Sequence, residues 1–96
     1  MEMVYNDGVF TINHTDDGFL VHNTSMEGFC HTHIKNYGTA LRVVELSHKK
    51  KCPFSLPRYL LISLYRINSD EKYKKRIEEV LNTPKKDSYV NSRRKR

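Results

Sequence analysis

The sequence predicts an α+β domain: an N-terminal three-stranded antiparallel sheet followed by three helices, then a disordered basic C-terminal tail. Three observations carry that prediction. Residues 9–34 hold short runs of apolar and β-branched residues separated by Asp, Asn and Gly, the pattern of strands and turns. From residue 36 onward the apolar residues recur with helical spacing in three segments, broken by Cys52-Pro53-Phe54-Ser55 and by Asn68-Ser69. The last stretch, from Lys85 to Arg96, offers only Tyr89 and Val90 as large apolar residues and is too charged to bury a core. The expected organisation is one domain over residues 1–83 and a tail over residues 84–96.

Each strand has its own signal. In Val9-Phe10-Thr11-Ile12-Asn13 the residues alternate, with Phe10 and Ile12 on one face; His14 to Gly18 then ends in Asp-Gly, a hairpin turn signal. Phe19-Leu20-Val21-His22 makes the second strand. Asn23 to Gly28 reads as a polar connection, and Phe29-Cys30-His31-Thr32-His33-Ile34 makes the third. Met3-Val4-Tyr5, before the turn residues Asn6-Asp7-Gly8, is a short edge segment outside the three-strand count. A sheet this small needs a helix on one face.

The first helix starts near Asn36 or Thr39, each able to cap it, and runs to about Lys50 with Tyr37, Ala40, Leu41, Val43, Val44 and His48 on its packing side. The second, Leu56 to Ile67, is the most apolar stretch of the chain. Leu56, Leu60, Leu61, Leu64 and Ile67 share one side, Tyr59, Ile62 and Tyr65 much of the other, and only Arg58, Ser63 and Arg66 interrupt. A helix apolar on most of its circumference requires covering on several sides, so its neighbours in sequence are its expected partners, with Ser55 as its cap and Pro57 in its first turn. The third helix follows Asn68-Ser69, where Asn68 and Glu71 have capping-box spacing; Tyr73, Ile77, Val80 and Leu81 form a narrow stripe, and Thr83-Pro84 ends it.

Composition bounds the function classes. The longest apolar run, about 12 residues, falls short of the ~20 that cross a bilayer, and Met1-Glu2-Met3-Val4-Tyr5 lacks the basic start and long apolar region of a signal peptide; no membrane partner and a cytoplasmic location are expected. Cys30 and Cys52 are too few and too far apart for a disulfide framework or a C-x-x-C site and read as free thiols. The formal charge of +6 is unevenly placed. Residues 1–34 contain five acids and no Lys or Arg, whereas residues 84–96 carry six cations against Asp87. Bulk basicity therefore argues for a partner of the tail rather than of the domain.

Three constellations bear on chemistry. On a strand, His31 and His33 point the same way and can offer two imidazoles to one metal, but no second paired motif supplies further ligands; with Cys30, Thr32 and Ile34 facing a core, both histidines face water. The same imidazoles suit a metal-free nuclease, one as base and one as acid, if a Lys or Arg converges on them from a helix. His22-Asn23-Thr24 matches one half of a two-histidine phosphoesterase pattern, without its second half. Lys49, Lys50 and Lys51 sit where a helix C-terminus favours positive charge and are also able to touch phosphates. The strongest nucleic-acid signal is the tail, through Lys85, Lys86, Arg93, Arg94, Lys95 and Arg96. No cofactor motif is present, and the expected protein is not an enzyme.

Three strands followed by a helix resemble the layout of AP2-type and integrase arm-type DNA-binding domains, whose sheets lie in the major groove. Those sheets carry arginines toward DNA; residues 1–34 here have none, so that docking mode is not implied. The stretch from His31-Thr32-His33-Ile34-Lys35-Asn36-Tyr37-Gly38-Thr39-Ala40 through Tyr59-Leu60-Leu61-Ile62 resembles the short accessory proteins of conjugative transposons and prophages of Gram-positive bacteria. The resemblance implies an accessory role in a mobile element and carries no site residues. The expectation is a non-enzymatic accessory protein that touches nucleic acid or an acidic partner through its basic tail. The rival is an interaction module or inhibitor that uses its acidic sheet.

Overall fold

A computed structural model describes residues 2–28 and 30–83. The expected tail, with Lys85, Lys86, Arg93, Arg94, Lys95 and Arg96, lies outside the described residues. The order of elements is β1 (Glu2–Asn6), β2 (Phe10–Thr15), β3 (Gly18–Asn23), β4 (His31–Ile34), α1 (Tyr37–Lys49), α2 (Arg58–Arg66) and α3 (Glu71–Asn82). The chain is α+β as expected, but its antiparallel sheet has four strands in the order β1-β2-β3-β4, which corrects the count of three and departs from the three-strand layout of the DNA-binding domains above.

The added strand has a physical explanation. β1 pairs with β2 from Glu2 opposite His14 to Asn6 opposite Thr11, with a bulge between Met3 and Tyr5 that breaks the two-residue period by which a strand is read. The turn that holds it is nevertheless written in the sequence. The Asp7 carboxylate accepts the amides of Val9 and Phe10, and the Asn6 side chain accepts the amide of Gly8, whose φ of 95° suits glycine.

The β2–β3 hairpin turns on Asp16 and Asp17, closed by Thr15 opposite Gly18, so Gly18 opens β3 rather than sitting in the turn. Its glycine is required twice over. Its φ is 142°, and a Cβ there would lie 2.7 Å from the Ile34 carbonyl oxygen of β4's end.

One face of the sheet presents Phe10, Ile12, Val21 and Ile34 to the helices, with Thr32 buried among them. α1 and α2 cover that face, α1 through Ala40, Val43, Val44 and Leu46, α2 through Leu60, Leu61 and Leu64, and α3 adds Tyr73, Ile77 and Val80 by packing on α2. The second helix is thus central, touching the sheet, α1 and α3. Its cover is incomplete, however: Tyr59 stays 56% exposed and Ile62 37%. Ser63, which looked like an interruption, is buried and shares a 2.7 Å hydrogen bond with Thr32 of β4.

The helix ends differ in detail from the sequence reading. Asn36 precedes α1, and its side chain accepts the Thr39 hydroxyl instead of a backbone amide, so the two candidate caps meet each other. Pro57, not Ser55, occupies the cap position of α2, with no side-chain bond. Asp70 caps α3 by accepting the Tyr73 amide, and Asn68 is instead buried, donating to the Leu64 carbonyl and the Ser47 hydroxyl. α1 closes in a Schellman pattern: Lys51 donates to the Leu46 carbonyl and Lys50 to that of Ser47, with Lys50 in the left-handed region at φ 56°.

Candidate functional site

The chain's charge is sorted by layer. The sheet half, residues 1–34, has five acids and no cation; residues 35–83, which make the helical layer, have eleven Lys or Arg against five acids, a net +6. Between Leu46 and Ser69 there are five cations and no acid at all. A basic side therefore exists within the folded residues, apart from the tail.

The three lysines at the end of α1 are held in three ways. Lys49 lies 2.9 Å from Glu45 one turn back, and that contact holds the Glu45 carboxyl below its ordinary range. Lys50, in a left-handed position that usually falls to glycine, reaches 3.7 Å from Asp70 and sits over the Tyr73 ring. Capping and local pairing thus account for these two. Lys51 has no described ion pair and lines a shallow groove of about 510 Å³ along α1 with Gly38, Leu41, Arg42, Glu45, Leu46, Lys49 and Pro53.

That groove is the feature sequence reading passed over. Gly38, Arg42, Glu45 and Lys49 recur at i, i+4, i+7 and i+11, a helical stripe opposite the buried side of α1, and the stretch from Lys51 to Pro53 returns along it to form the second wall. Its floor is aliphatic and its rim is basic.

Three histidines share the sheet's outer face. As expected, Thr32 and Ile34 face the core and Cys30 is buried; His31 and His33 lie on the sheet's other face, their rings 5.5 Å apart edge to face, with His22 opposite His31 on β3. Among the described residues no group of three or more His, Cys, Asp or Glu side chains is arranged to hold a metal ion. His33 lines a depression of about 400 Å³ with Thr15, Asp17, Phe19, Ile34 and Lys35. His14 stacks on Phe19.

His48 has a structural post. Its Nε2 is 2.6 Å from the Asp7 carboxylate and its ring stands edge-on to Phe10, tying the β1–β2 turn to the end of α1. Burial pushes the Asp7 carboxyl up, but the Phe10 and Val9 amides, His48 and the Tyr5 hydroxyl together outweigh it and leave that carboxyl well below the usual range. Tyr5 is raised in turn by its bond to Asp7. Cys30 and Cys52 are not joined in a disulfide; the Cys30 thiol donates to the Glu27 carbonyl. No helix among the described residues is long and apolar enough to cross a membrane. Compared with protein-family models, with curated proteins and with solved structures, the chain matches none.

Proposed function

We propose that the chain is a small non-enzymatic accessory protein, of the kind carried by mobile genetic elements, that holds nucleic acid or an acidic protein surface on its basic side. The observation that supports this reading is the segregation of charge: an acidic sheet behind a helical layer of net +6, followed in sequence by a tail with six cations and one acid. Lys85, Lys86, Arg93, Arg94, Lys95 and Arg96 supply the tail's part of the contact and Lys49, Lys50 and Lys51 the domain's. A contact built on phosphate neutralisation is sequence-tolerant, because it reads charge density and not base edges.

A salt-titrated binding assay with duplex and single-stranded DNA tests it. Replacing Arg93, Arg94, Lys95 and Arg96 by Ala should flatten the log–log salt slope on duplex DNA by up to about 3 to 4 units, at about 0.9 per phosphate contact, and should weaken all sequences alike. No binding at about 50 mM salt would remove nucleic acid as the partner. A second reading, an interaction module that uses the sheet, draws on Asp16 and Asp17, both exposed at the tip of the β2–β3 hairpin. There, Asp16→Asn with Asp17→Asn would abolish capture of the partner while leaving DNA binding unchanged.

A further inference from the structure

We infer that the groove along α1 is the docking site for an acidic segment of a partner protein that carries an aliphatic anchor residue. This deepens the reading of a basic side that holds an acidic partner and rests on it.

The lining sets the chemistry. Leu41, Leu46 and Pro53 make a floor with no aromatic ring, and Arg42, Lys49 and Lys51 rim it against one acid, Glu45. Glu45, 2.9 Å from Lys49 and also within the field of Arg42, offsets one of the three cations and leaves the lining with an excess of two positive charges. An aliphatic floor with that excess around it complements a leucine or isoleucine flanked by carboxylates. It does not suit single-stranded nucleic acid, whose bases bind by stacking on aromatic rings that this lining lacks. Gly38 keeps one end open: a Cβ there would meet no heavy atom within 4 Å, so bare helix backbone is presented to whatever lies in the groove.

The same glycine makes the test clean. A side chain added at Gly38 enters free space, so Gly38→Gln fills the end of the groove without disturbing the packing beneath it, and removing a helical glycine favours the helix. The probe is a fluorescent peptide of repeated Glu-Glu-Leu, read by anisotropy at low salt with the full chain. Arg42→Glu with Lys51→Glu should raise its Kd at least about tenfold. Gly38→Gln should weaken binding several-fold with no fall in melting temperature. A Glu-Glu-Ser peptide should bind more weakly than Glu-Glu-Leu, because it leaves the floor unfilled.

Equal binding of the two peptides, or indifference to both groove variants, overturns the proposal. A single-stranded DNA that displaces the peptide and is itself weakened by Gly38→Gln would give the groove to nucleic acid and overturn it too. So would self-association abolished by Arg42→Glu with Lys51→Glu, which would make a second copy the occupant. Replacing Arg93, Arg94, Lys95 and Arg96 by Ala removes the tail's own attraction for carboxylates, so it should weaken both peptides alike and keep the preference for Glu-Glu-Leu over Glu-Glu-Ser; loss of that preference sinks the groove while leaving the tail reading standing.

Discussion

Thr32 and Ser63 share the 2.7 Å bond that pins α2 to β4, and both are nearly excluded from water. Removing one hydroxyl strands the other, so Ser63→Ala should cost about 1–3 kcal/mol, whereas Thr32→Val with Ser63→Ala should recover most of that loss because neither partner is left unpaired. Chemical denaturation of the single and double variants measures the difference. Asn23 and Asn68 belong to the same class: Asn23 donates to the Ile67 carbonyl and accepts from Ser25, and Asn68 bridges α2 to Ser47. Thr32 was read as core-facing, but Asn23, Asn68 and Ser63 were read as loop, cap and interruption. A polar residue looks like surface until its partner is known, and these partners are as many as 44 residues away in the chain.

Two ionisable groups give stability a defined pH dependence. Burial raises the Tyr73 phenol far above its ordinary value of about 10 while its hydroxyl donates to the Lys51 carbonyl. The unfolded chain therefore releases this proton first, and stability should fall as pH rises above about 10. The depressed Asp7 carboxyl acts in the opposite direction: its contribution is complete above about 3.9 and is lost as pH falls below that value, where the unfolded chain takes up a proton first. Melting temperatures across both ranges check the signs. Tyr73→Phe should reduce the alkaline slope and Asp7→Asn the acid one.

At the scale of elements, the helices were legible because each carries its own period. The stripe of Leu56, Leu60, Leu61, Leu64 and Ile67 is the buried one, and Leu64→Ala should cost on the order of 2–5 kcal/mol in denaturant melts, as a fully buried leucine does. Their ends were less legible. The sequence points to Asn68 as the cap of α3, whereas Asn68 is buried and Asp70 is the cap. β1 escaped the strand count because its bulge scrambles alternation and its residues stay largely exposed, so pairing and not burial defines it. The end of α1 offers a backbone test. Lys50→Gly and Lys50→Ala remove the same side-chain contacts, but only glycine relieves the left-handed backbone, so the glycine variant should be the more stable by about 1 kcal/mol.

Across the whole molecule, the described residues already contain a connected core from Phe10 to Val80. Truncation after Asn82 should therefore leave a cooperative melting transition; its loss would place the tail inside the fold. The acidic first third and the basic remainder were plain from composition. Their division between sheet and helices was implied by element order, whereas the groove required knowing that Lys51 to Pro53 run back beside α1.

Residues 1–34 carry −5 and residues 35–83 carry +6, so the domain has opposite charge on its two layers at nearly neutral net charge. Truncated after Asn82, such a domain should adsorb with a preferred orientation and be retained on both anion- and cation-exchange resins at one neutral pH, meeting the first with its sheet and the second with its helices. It would likewise arrive at a polyanionic surface already turned, helices first, before any specific contact forms.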